Sequence, residues 1–364
     1  MHPEQYLPYL CLKTAPQLSV RNCINLLDTY PDPAAFVGVP DHPLYQQGIL
    51  KSDTIEHLKS FVLPPNQENI LQLMKQHQIQ CLAYNEDAYP AKLREIFAPP
   101  LLLYVRGDLN QALKPKCLAV VGTRKATTYG REMCRKLLDP LCKEGVCIIS
   151  GLALGIDTQA HLRAINNQSP TIAALASGLE SVYPPVNRQL ADKIVESGAL
   201  ISEYEPGSKA DKWNFPARNR LISALSDAVL VVEGPITSGA MLTAKAAIEQ
   251  NRDICALPGY INIRNSEGPN HLIKNGAALI SSAEDLFALL QMTPENSQQI
   301  ELFPELCPDE QRICDLLKDA EHSLSFDELL IQSSFTIGRL STHLTNLELK
   351  GVIAKESGNS FFLC

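Results

Sequence analysis

The sequence predicts an α/β protein with a doubly wound, mostly parallel central sheet, a small N-terminal helical domain and a C-terminal winged-helix domain. Three observations support this fold class. Short apolar runs alternate with amphipathic helical stretches through the middle of the 364-residue chain. The first part of the chain carries helical periodicity broken by prolines, and the last part carries three helical patterns followed by two short strands.

Residues 1–65 are the predicted helical domain, which we assign to the SAM-like type. Helical patterns cover residues 17–30, 33–36 and 52–61, and prolines at 31, 33, 64 and 65 punctuate them. Residues 66–110 follow as a connector with a helix at 67–76 and a strand at 100–105. The connector leads into the sheet, so we place it at the start of a second domain, residues 66–292.

This second domain carries the regular alternation of strands and helices. Apolar runs flanked by helices are what a parallel sheet buried on both faces requires, and repeated βα units specify a Rossmann-like doubly wound sheet. The predicted strands are 117–121, 146–150, 171–176, 199–203, 228–233, 253–257 and 277–280. The predicted helices begin near Tyr129, Asp157, Arg188, Asn219, Ala240 and Asn270.

A polar linker at 293–299 precedes residues 300–364, whose sequence pattern predicts a winged helix. Helical patterns at 309–318, 326–331 and 337–350 precede strands at 352–355 and 360–363, which a turn at 357–359 connects. From Glu305 onward there are five basic and ten acidic residues, a net charge of −5. This charge favours a protein-interaction or regulatory role over binding of duplex DNA, although both stay open.

Charge is unevenly distributed along a chain whose net charge is −8. Between Lys114 and Gly145 there are eight basic residues against three acidic ones, and between Lys209 and Arg220 there are four against one. The middle of the chain therefore carries an electrostatic footprint suited to a polyanion.

Other compositional features bound the class of protein. No basic-then-apolar leader and no apolar run of about 18 residues is present, so we expect a cytoplasmic protein without a membrane partner. The 11 cysteines form no C-x-x-C pair and predict reduced thiols. The eight histidines show no metal-binding spacing, so we expect no metal.

Ligands of an open α/β sheet bind at the carboxyl ends of the strands, where helix N-termini point. Small residues follow nearly every predicted strand, among them Gly122 and Thr123 before Arg124, then Gly151, Gly178, Gly234, Ser238, Gly239 and Gly259. They predict a continuous groove of exposed backbone N–H donors, longer than one nucleotide requires. Alternatively, the glycines only permit tight turns, and Asp157 is predicted as the N-cap of its helix.

The segment 212–220 combines cations, aromatic rings and an amide: Lys212, Trp213, Phe215, Arg218, Asn219 and Arg220. Pro216 indicates a helix start, which would place both arginines in the first turn, where cations are unfavourable unless they face an anion. Phe215 could stack on a base, and Asn219 could pair with a base edge. The alternative is that both aromatic residues are packed in the core and the arginines form ion pairs.

Several enzyme motifs are missing from the sequence. There is no G-x-x-x-x-G-K-[ST] loop for nucleotide hydrolysis, no G-x-G-x-x-G loop for a nicotinamide cofactor and no G-x-S-x-G elbow for a serine nucleophile. We therefore expect no cofactor and no catalytic activity.

The motifs Val121–Arg124, Ser150–Asp157, Phe215–Arg220 and Ser238–Gly239 resemble those of the DNA-processing protein A (DprA, also called Smf) family. The resemblance covers roughly residues 80–290 in the right order. It implies a non-catalytic recombination mediator that binds and protects incoming single-stranded DNA in natural transformation and helps to load the RecA recombinase. It also implies a homodimer formed through the Rossmann-like domain.

The same resemblance assigns roles to individual residues. Arg124 and Lys212 match the principal DNA-contacting cations, and Phe215 matches a base-stacking position. Arg218, Asn219, Ser238 and Gly239 would line the same groove. Two alternatives stay open: a nucleoside-monophosphate phosphoribohydrolase on a related fold, and a transcription regulator that uses the winged helix. The stretch 233–239 lacks the final acidic residue of the phosphoribohydrolase loop.

Overall fold

The computed structural model describes residues 3–294, 306–320, 323–349, 352–356 and 360–363. The chain divides into two compact units, Met1–Thr293 and Pro294–Cys364. Most of the predicted linker at 293–299 and all of the predicted turn at 357–359 lie outside the described residues. Within the described part of the chain, every helix is too short or too polar to cross a bilayer.

The first unit begins with three helices, α1 (Leu7–Thr14), α2 (Val20–Thr29) and α3 (Ser52–Lys59). Helix α1 was not predicted, because it is apolar on most sides and therefore lacks an amphipathic period. Leu12 and Leu27 from these helices share one hydrophobic core with Tyr104 and Leu200 from the sheet. The helices thus cover part of one face of the sheet, and a domain boundary at residue 65 stays a prediction.

Within residues 3–294 the sheet has nine strands in the order β1-β2-β6-β5-β4-β3-β7-β8-β9. Strands β3 to β9 are parallel, whereas β1 and β2 pair in antiparallel fashion at one end. Their bounds are β1 (Gln80–Ala83), β2 (Leu102–Gly107), β3 (Cys117–Val121), β4 (Cys147–Ser150), β5 (Thr171–Ala174), β6 (Ala199–Ser202), β7 (Ala228–Val231), β8 (Asp253–Ala256) and β9 (Ala278–Leu279). The predicted, mostly parallel sheet is confirmed, and only its first strand was missed.

Helices cover both faces of this sheet, as the doubly wound prediction requires. Side chains alternate along β3, so Leu118 packs with Leu138 on one face while Ala119 packs with Leu221 on the other. The helices are α4 (Gln67–Gln76), α5 (Ala91–Arg94), α6 (Leu109–Ala112), α7 (Thr128–Lys143), α8 (Ile156–Asn166), α9 (Arg188–Ser197), α10 (Asn214–Leu225), α11 (Gly239–Glu249), α12 (Glu267–Lys274) and α13 (Ala283–Leu289). The predicted start near Asn219 was wrong, because α10 begins at Asn214 and accommodates Pro216 in its first turn, where a backbone N–H is not needed.

The second unit is a winged helix, which confirms the prediction. Its elements are α14 (Pro308–Asp319), β10 (Leu324–Ser325), α15 (Phe326–Ser333), α16 (Ile337–Leu349), β11 (Ile353–Glu356) and β12 (Ser360–Leu363). The strands form an antiparallel sheet in the order β10-β12-β11. Ile313, Leu340 and Phe361 belong to one core that joins the helices to this sheet.

Candidate nucleic-acid interface

The candidate site lies where the order of the sheet reverses. From β3 the chain builds outward through β4, β5 and β6, and it then returns to the other side of β3 with β7. A crevice forms outside the carboxyl ends of two strands at such a switch point, and this is where open α/β sheets bind ligands. Gly122 after β3 and Pro235 after β7 both line a cleft of about 280 Å³ at this place.

A second cleft of about 470 Å³ adjoins the first. Four residues line both clefts: Arg124, Phe215, Asn219 and Gly239. The smaller cleft also contains Thr123, Arg218 and Ser238, and the larger one also contains Lys212. The fold therefore brings together most of the predicted site residues. They come from the loop after β3, the loop before α10, helix α10 itself and the start of α11.

Arg124 and Lys212 are the exposed cations of the larger cleft. The guanidinium carbon of Arg124 lies 5.3 Å from the centre of the Phe215 ring, and the Lys212 ammonium lies 5.0 Å from the centre of the Trp213 ring. Among the residues that the structure describes, neither cation forms an ion pair. Both charges are therefore available to an anionic ligand.

Aromatic rings lie beside these cations. Phe215 is half-buried, and its ring centre is 5.8 Å from that of Tyr183 at an angle of 59° between the ring planes. Trp213 is 74% exposed, so the alternative that it is packed in the core is wrong. Exposed ring faces beside exposed cations can contact the bases and the phosphates of one strand together.

The predicted continuous groove of backbone N–H donors was wrong. Asp157 does not cap its helix; its carboxylate accepts hydrogen bonds from the N–H groups of Gly151 and Ala153, at 3.2 and 3.3 Å. The N–H of Gly178 donates to the carbonyl of Ser208, and that of Gly234 donates to the carbonyl of Asn265. These strand-end donors are therefore already used within the protein.

A buried carboxylate also occupies the N-terminus of α7, which was expected to attract an anion. Glu233 accepts hydrogen bonds from both the backbone N–H and the hydroxyl of Thr127, the N-cap residue of α7. A phosphate placed there would be repelled by this carboxylate. The loop between β3 and α7 therefore contributes its Arg124 side chain to the cleft rather than a helix dipole.

Helix α11, by contrast, begins inside the cleft. Ser238, Gly239 and Ala240 line it, so the positive end of the helix dipole lies against the site. Gly239 is exposed, and a Cβ atom added there would meet no atom within 4 Å. The anion-attracting surface is therefore made of two side-chain cations and one helix N-terminus.

Arg218 lies beneath the cleft rather than on its surface. It is 4% exposed, and its guanidinium donates hydrogen bonds to the carbonyls of Gly151, at 2.7 Å, and Ala174. Burial lowers the pKa of Arg218 to about 10, while the nearby Asp157 carboxylate opposes this shift. Burial likewise raises the pKa of Asp157, which Arg218 counteracts. Arg218 thus connects the ends of β4 and β5.

Asn219 and Arg220 also have partners within the protein. The Asn219 amide donates to the carbonyl of Gly239, at 3.2 Å, and so fixes the start of α11. Arg220 forms an ion pair with Glu203 and lines a different cleft, which contains Lys13. The prediction that both arginines lie in the first turn of α10 was wrong, because the helix starts before Phe215.

Sequence reasoning missed several residues of the site. Tyr183 and Leu242 line the larger cleft, and Ala153 and Thr243 line the smaller one. Tyr183 had a usable signal, since it belongs to a Tyr-Pro dipeptide in a loop after β5. Leu242 lies one turn into α11, at a position that reads as an ordinary helix residue in the sequence.

These features define the class of protein: a Rossmann-like α/β protein with a winged helix, whose basic and aromatic cleft lies at the switch point of the sheet. Residues 80–291 match the sequence profile described as DNA recombination-mediator protein A, and residues 302–359 match the DprA winged helix domain. The chain belongs to the DNA recombination-mediator protein A family. This membership favours neither the phosphoribohydrolase nor the transcription-regulator alternative.

Curated relatives extend the similarity over most of the chain. Protein Smf of Synechocystis sp. is 36% identical over 333 residues, which cover 80% of this chain and 83% of the relative. Protein Smf of Escherichia coli is 36% identical over 322 residues, covering 84% and 83%. DNA processing protein DprA of Streptococcus pneumoniae is 42% identical over 203 residues, covering 56% and 71%.

Two solved structures share the fold. The X-ray structure of DprA from Streptococcus pneumoniae superposes with a TM-score of 0.66 at 32% identity, covering 79% of this chain and 97% of that one. The DprA structure from Helicobacter pylori superposes with a TM-score of 0.54 at 32% identity, covering 59% and 96%. The latter is described as giving insights into that protein's single-stranded DNA binding mode.

Proposed function

We propose that this protein is a non-catalytic recombination mediator that binds single-stranded DNA in the two adjoining clefts at the β3–β7 switch point. One observation carries the proposal: two exposed cations without an ion-pair partner in the described part of the chain, Arg124 and Lys212, line a cleft together with the Phe215 ring. The strand's phosphates contact the cations and the N-terminus of α11, and its bases stack on the aromatic rings.

The aromatic residues favour a single strand over a duplex. Stacking on a protein ring needs a base whose face is free, and the bases of a duplex are stacked on one another. The Tyr183, Phe215 and Trp213 rings lie in or beside the basic clefts, so an unpaired strand satisfies both sets of contacts at once. The description of the Helicobacter pylori relative as a single-stranded DNA binder supports the same conclusion.

Individual residues take three roles in this proposal. Arg124 and Lys212 contact phosphates, Phe215 stacks on a base, and the backbone of Thr123, Ser238 and Gly239 borders the strand. Gly122, Gly151, Arg218 and Asn219 position the loops from behind. Arg220 acts through its ion pair with Glu203 and supports the fold rather than the ligand.

The biological setting follows from the family. We propose that the protein acts in the cytoplasm during natural transformation, protects incoming single strands and helps to load RecA onto them. We also propose that it works as a homodimer through the Rossmann-like domain. Neither a cofactor nor a metal is needed for this activity, since charge and stacking supply the binding energy.

The test compares oligo-dT with a duplex of equal length in gel-shift assays at 50 and 200 mM salt. We expect the single strand to bind more tightly at both salt concentrations, and its binding to weaken as salt rises. Equal binding of the duplex would contradict the proposed stacking. Binding that does not respond to salt would contradict the proposed phosphate contacts.

A further inference from the structure

A cysteine, a glutamate and a histidine, all side chains that bind metals, converge in the winged-helix unit. Cys307 precedes α14, Glu310 lies in its first turn, and His343 lies on α16. One ligand atom from each, the Cys307 Sγ, a Glu310 carboxylate oxygen and a His343 ring nitrogen, lies within 4.8 Å of the others. Sequence spacing did not reveal this group, which we name the Cys307 cluster, because Cys307 and His343 are 36 residues apart.

The distance between the donor atoms of the cluster suits a cation with tetrahedral coordination. The Cys307 Sγ lies 3.8 Å from the His343 Nδ1. In a tetrahedral zinc site, with Zn–S at about 2.3 Å and Zn–N at about 2.1 Å, sulfur and nitrogen lie about 3.6 Å apart. Zinc could therefore bind between these two atoms after a movement of a few tenths of an ångström.

The surroundings orient both ligands. The His343 Nε2 lies 3.2 Å from the Asp309 carboxylate, which directs the Nε2–H toward Asp309 and leaves Nδ1 as the lone-pair nitrogen facing Cys307. A carboxylate behind a ligating histidine is the usual second partner in zinc sites. The Cys307 Sγ also accepts the backbone N–H of Glu310 at the N-terminus of α14, where negative charge is favoured.

The Cys307 sulfur, the His343 imidazole and the Asp309 carboxylate follow one another in space, and this order also resembles the catalytic triad of a cysteine hydrolase. Glu310 argues for the cation instead. It is 3% exposed, and its carboxylate lies beside the thiol. A hydrolase nucleophile needs only the sulfur, the imidazole and the carboxylate behind it, whereas Glu310 places a further carboxylate oxygen beside the sulfur and so completes three donors for a cation.

We infer that the Cys307 cluster is a zinc site in which Cys307, Glu310 and His343 supply three ligands and leave a fourth position for water. A thiolate and a carboxylate neutralise the Zn²⁺ charge, and the mixed sulfur, nitrogen and oxygen donors suit zinc better than magnesium or calcium. The ion would join the start of α14 to α16 and so stabilise the winged helix.

The experiment uses the full chain, freed of metal and then titrated with Co²⁺ as a spectroscopic substitute for Zn²⁺. We expect one equivalent to give tetrahedral visible bands and a sulfur-to-cobalt charge-transfer band, and Zn²⁺ to displace it. Cys307→Ser should abolish the charge-transfer band, and His343→Gln should weaken binding. Cys314→Ala, which removes a core thiol from the same helix, should leave the spectrum unchanged.

A second pair of variants separates the residue that orients His343 from a residue outside the site. Asp309→Asn removes the carboxylate behind His343 and should weaken zinc binding about 10- to 100-fold. Lys318→Gln removes an exposed cation from the opposite end of α14 and should leave zinc affinity unchanged. This pair still tests the proposal if Cys307→Ser does not fold.

Zinc should also raise the unfolding temperature of the winged-helix unit in the wild-type chain but not in His343→Gln. A wild-type chain with no charge-transfer band and no stabilisation by zinc would overturn the proposal. So would Cys307→Ser and His343→Gln variants that bind the metal as the wild type does.

Discussion

Replacing either exposed cation of the proposed DNA-binding cleft by alanine should weaken single-stranded DNA binding in a salt-dependent way. Arg124 and Lys212 are both exposed and line the same cleft, so each can neutralise one phosphate. Losing one charge-assisted hydrogen bond costs about 1.5 kcal/mol, or about tenfold in Kd. Each lost phosphate contact should also reduce the slope of log K against log salt by about 0.7.

The slope of log K against log salt predicts how the ratio of the variant's Kd to the wild type's changes with salt, whatever the absolute affinities are. Between 50 and 200 mM salt, the ratio of the variant's Kd to the wild type's should fall about 2.6-fold for Arg124→Ala or Lys212→Ala. For the double variant the same ratio should fall about sevenfold, provided that the two contacts are independent. Fluorescence anisotropy with labelled oligo-dT at four or more salt concentrations measures these slopes.

Lys245→Ala is the matched control. Lys245 is exposed on α11, outside both clefts, and it lies 4.0 Å from Glu249. The variant removes the same charge from the protein and should keep the wild-type slope. The placement of the strand is refuted if Arg124→Ala keeps the wild-type slope, or if Lys245→Ala reduces it as much as Lys212→Ala does.

Three further predictions concern stacking, an ion pair and pH. Phe215→Leu should weaken oligo-dT binding by about 1–3 kcal/mol in anisotropy assays, with the salt slope unchanged, because a stacking contact carries no charge. Arg220→Gln should lower the free energy of unfolding by about 2 kcal/mol in urea titrations, because it leaves the Glu203 carboxylate largely buried and unpaired, while the DNA salt slope stays unchanged. Burial lowers the pKa of His161 to about 3 from its ordinary 6.5, so the unfolded chain takes up the proton first as pH falls. Between pH 7 and pH 5 the wild type should therefore lose about 2 kcal/mol more stability in urea titrations than His161→Gln, whose amide can still donate to Thr171.

Each of these has a control or a contrary outcome. Phe215→Tyr keeps the ring and should bind nearly as the wild type does; equal losses in Phe215→Leu and Phe215→Tyr would argue against stacking. A steeper or flatter salt slope in Arg220→Gln would mean that Arg220 contacts phosphate after all. Parallel stability curves for the wild type and His161→Gln would show that this histidine does not titrate upon unfolding.

Most of the sheet could be predicted from the sequence because its signal is local. A strand buried on both faces is an uninterrupted apolar run, as in β3, and the helix that follows β3 has a clear amphipathic period. Several of the missed elements lack that signal. Strand β1 begins with the exposed, polar Gln80, β10 has two residues, and α1 is apolar on most sides.

The site could be predicted only in part. Arg124, Lys212 and Phe215 come together because strand ends and helix starts converge on one edge, which the topology alone requires. The partners of the backbone donors could not be predicted, since the Glu233–Thr127 contact joins residues 106 positions apart. The pairing of Arg218 with carbonyls and of Arg220 with a carboxylate depends in the same way on tertiary packing.

The two internal carboxylates have a consequence for selectivity inside a cell. Asp157 and Glu233 satisfy the loop and helix-end donors that related folds use to bind the phosphates of a mononucleotide. A free nucleoside triphosphate would have to displace a buried anion to bind there, so we expect the abundant metabolite pool to compete poorly. A polymer can gain affinity from several weak contacts along its length, so we expect the proposed cleft to discriminate a long strand from its monomers.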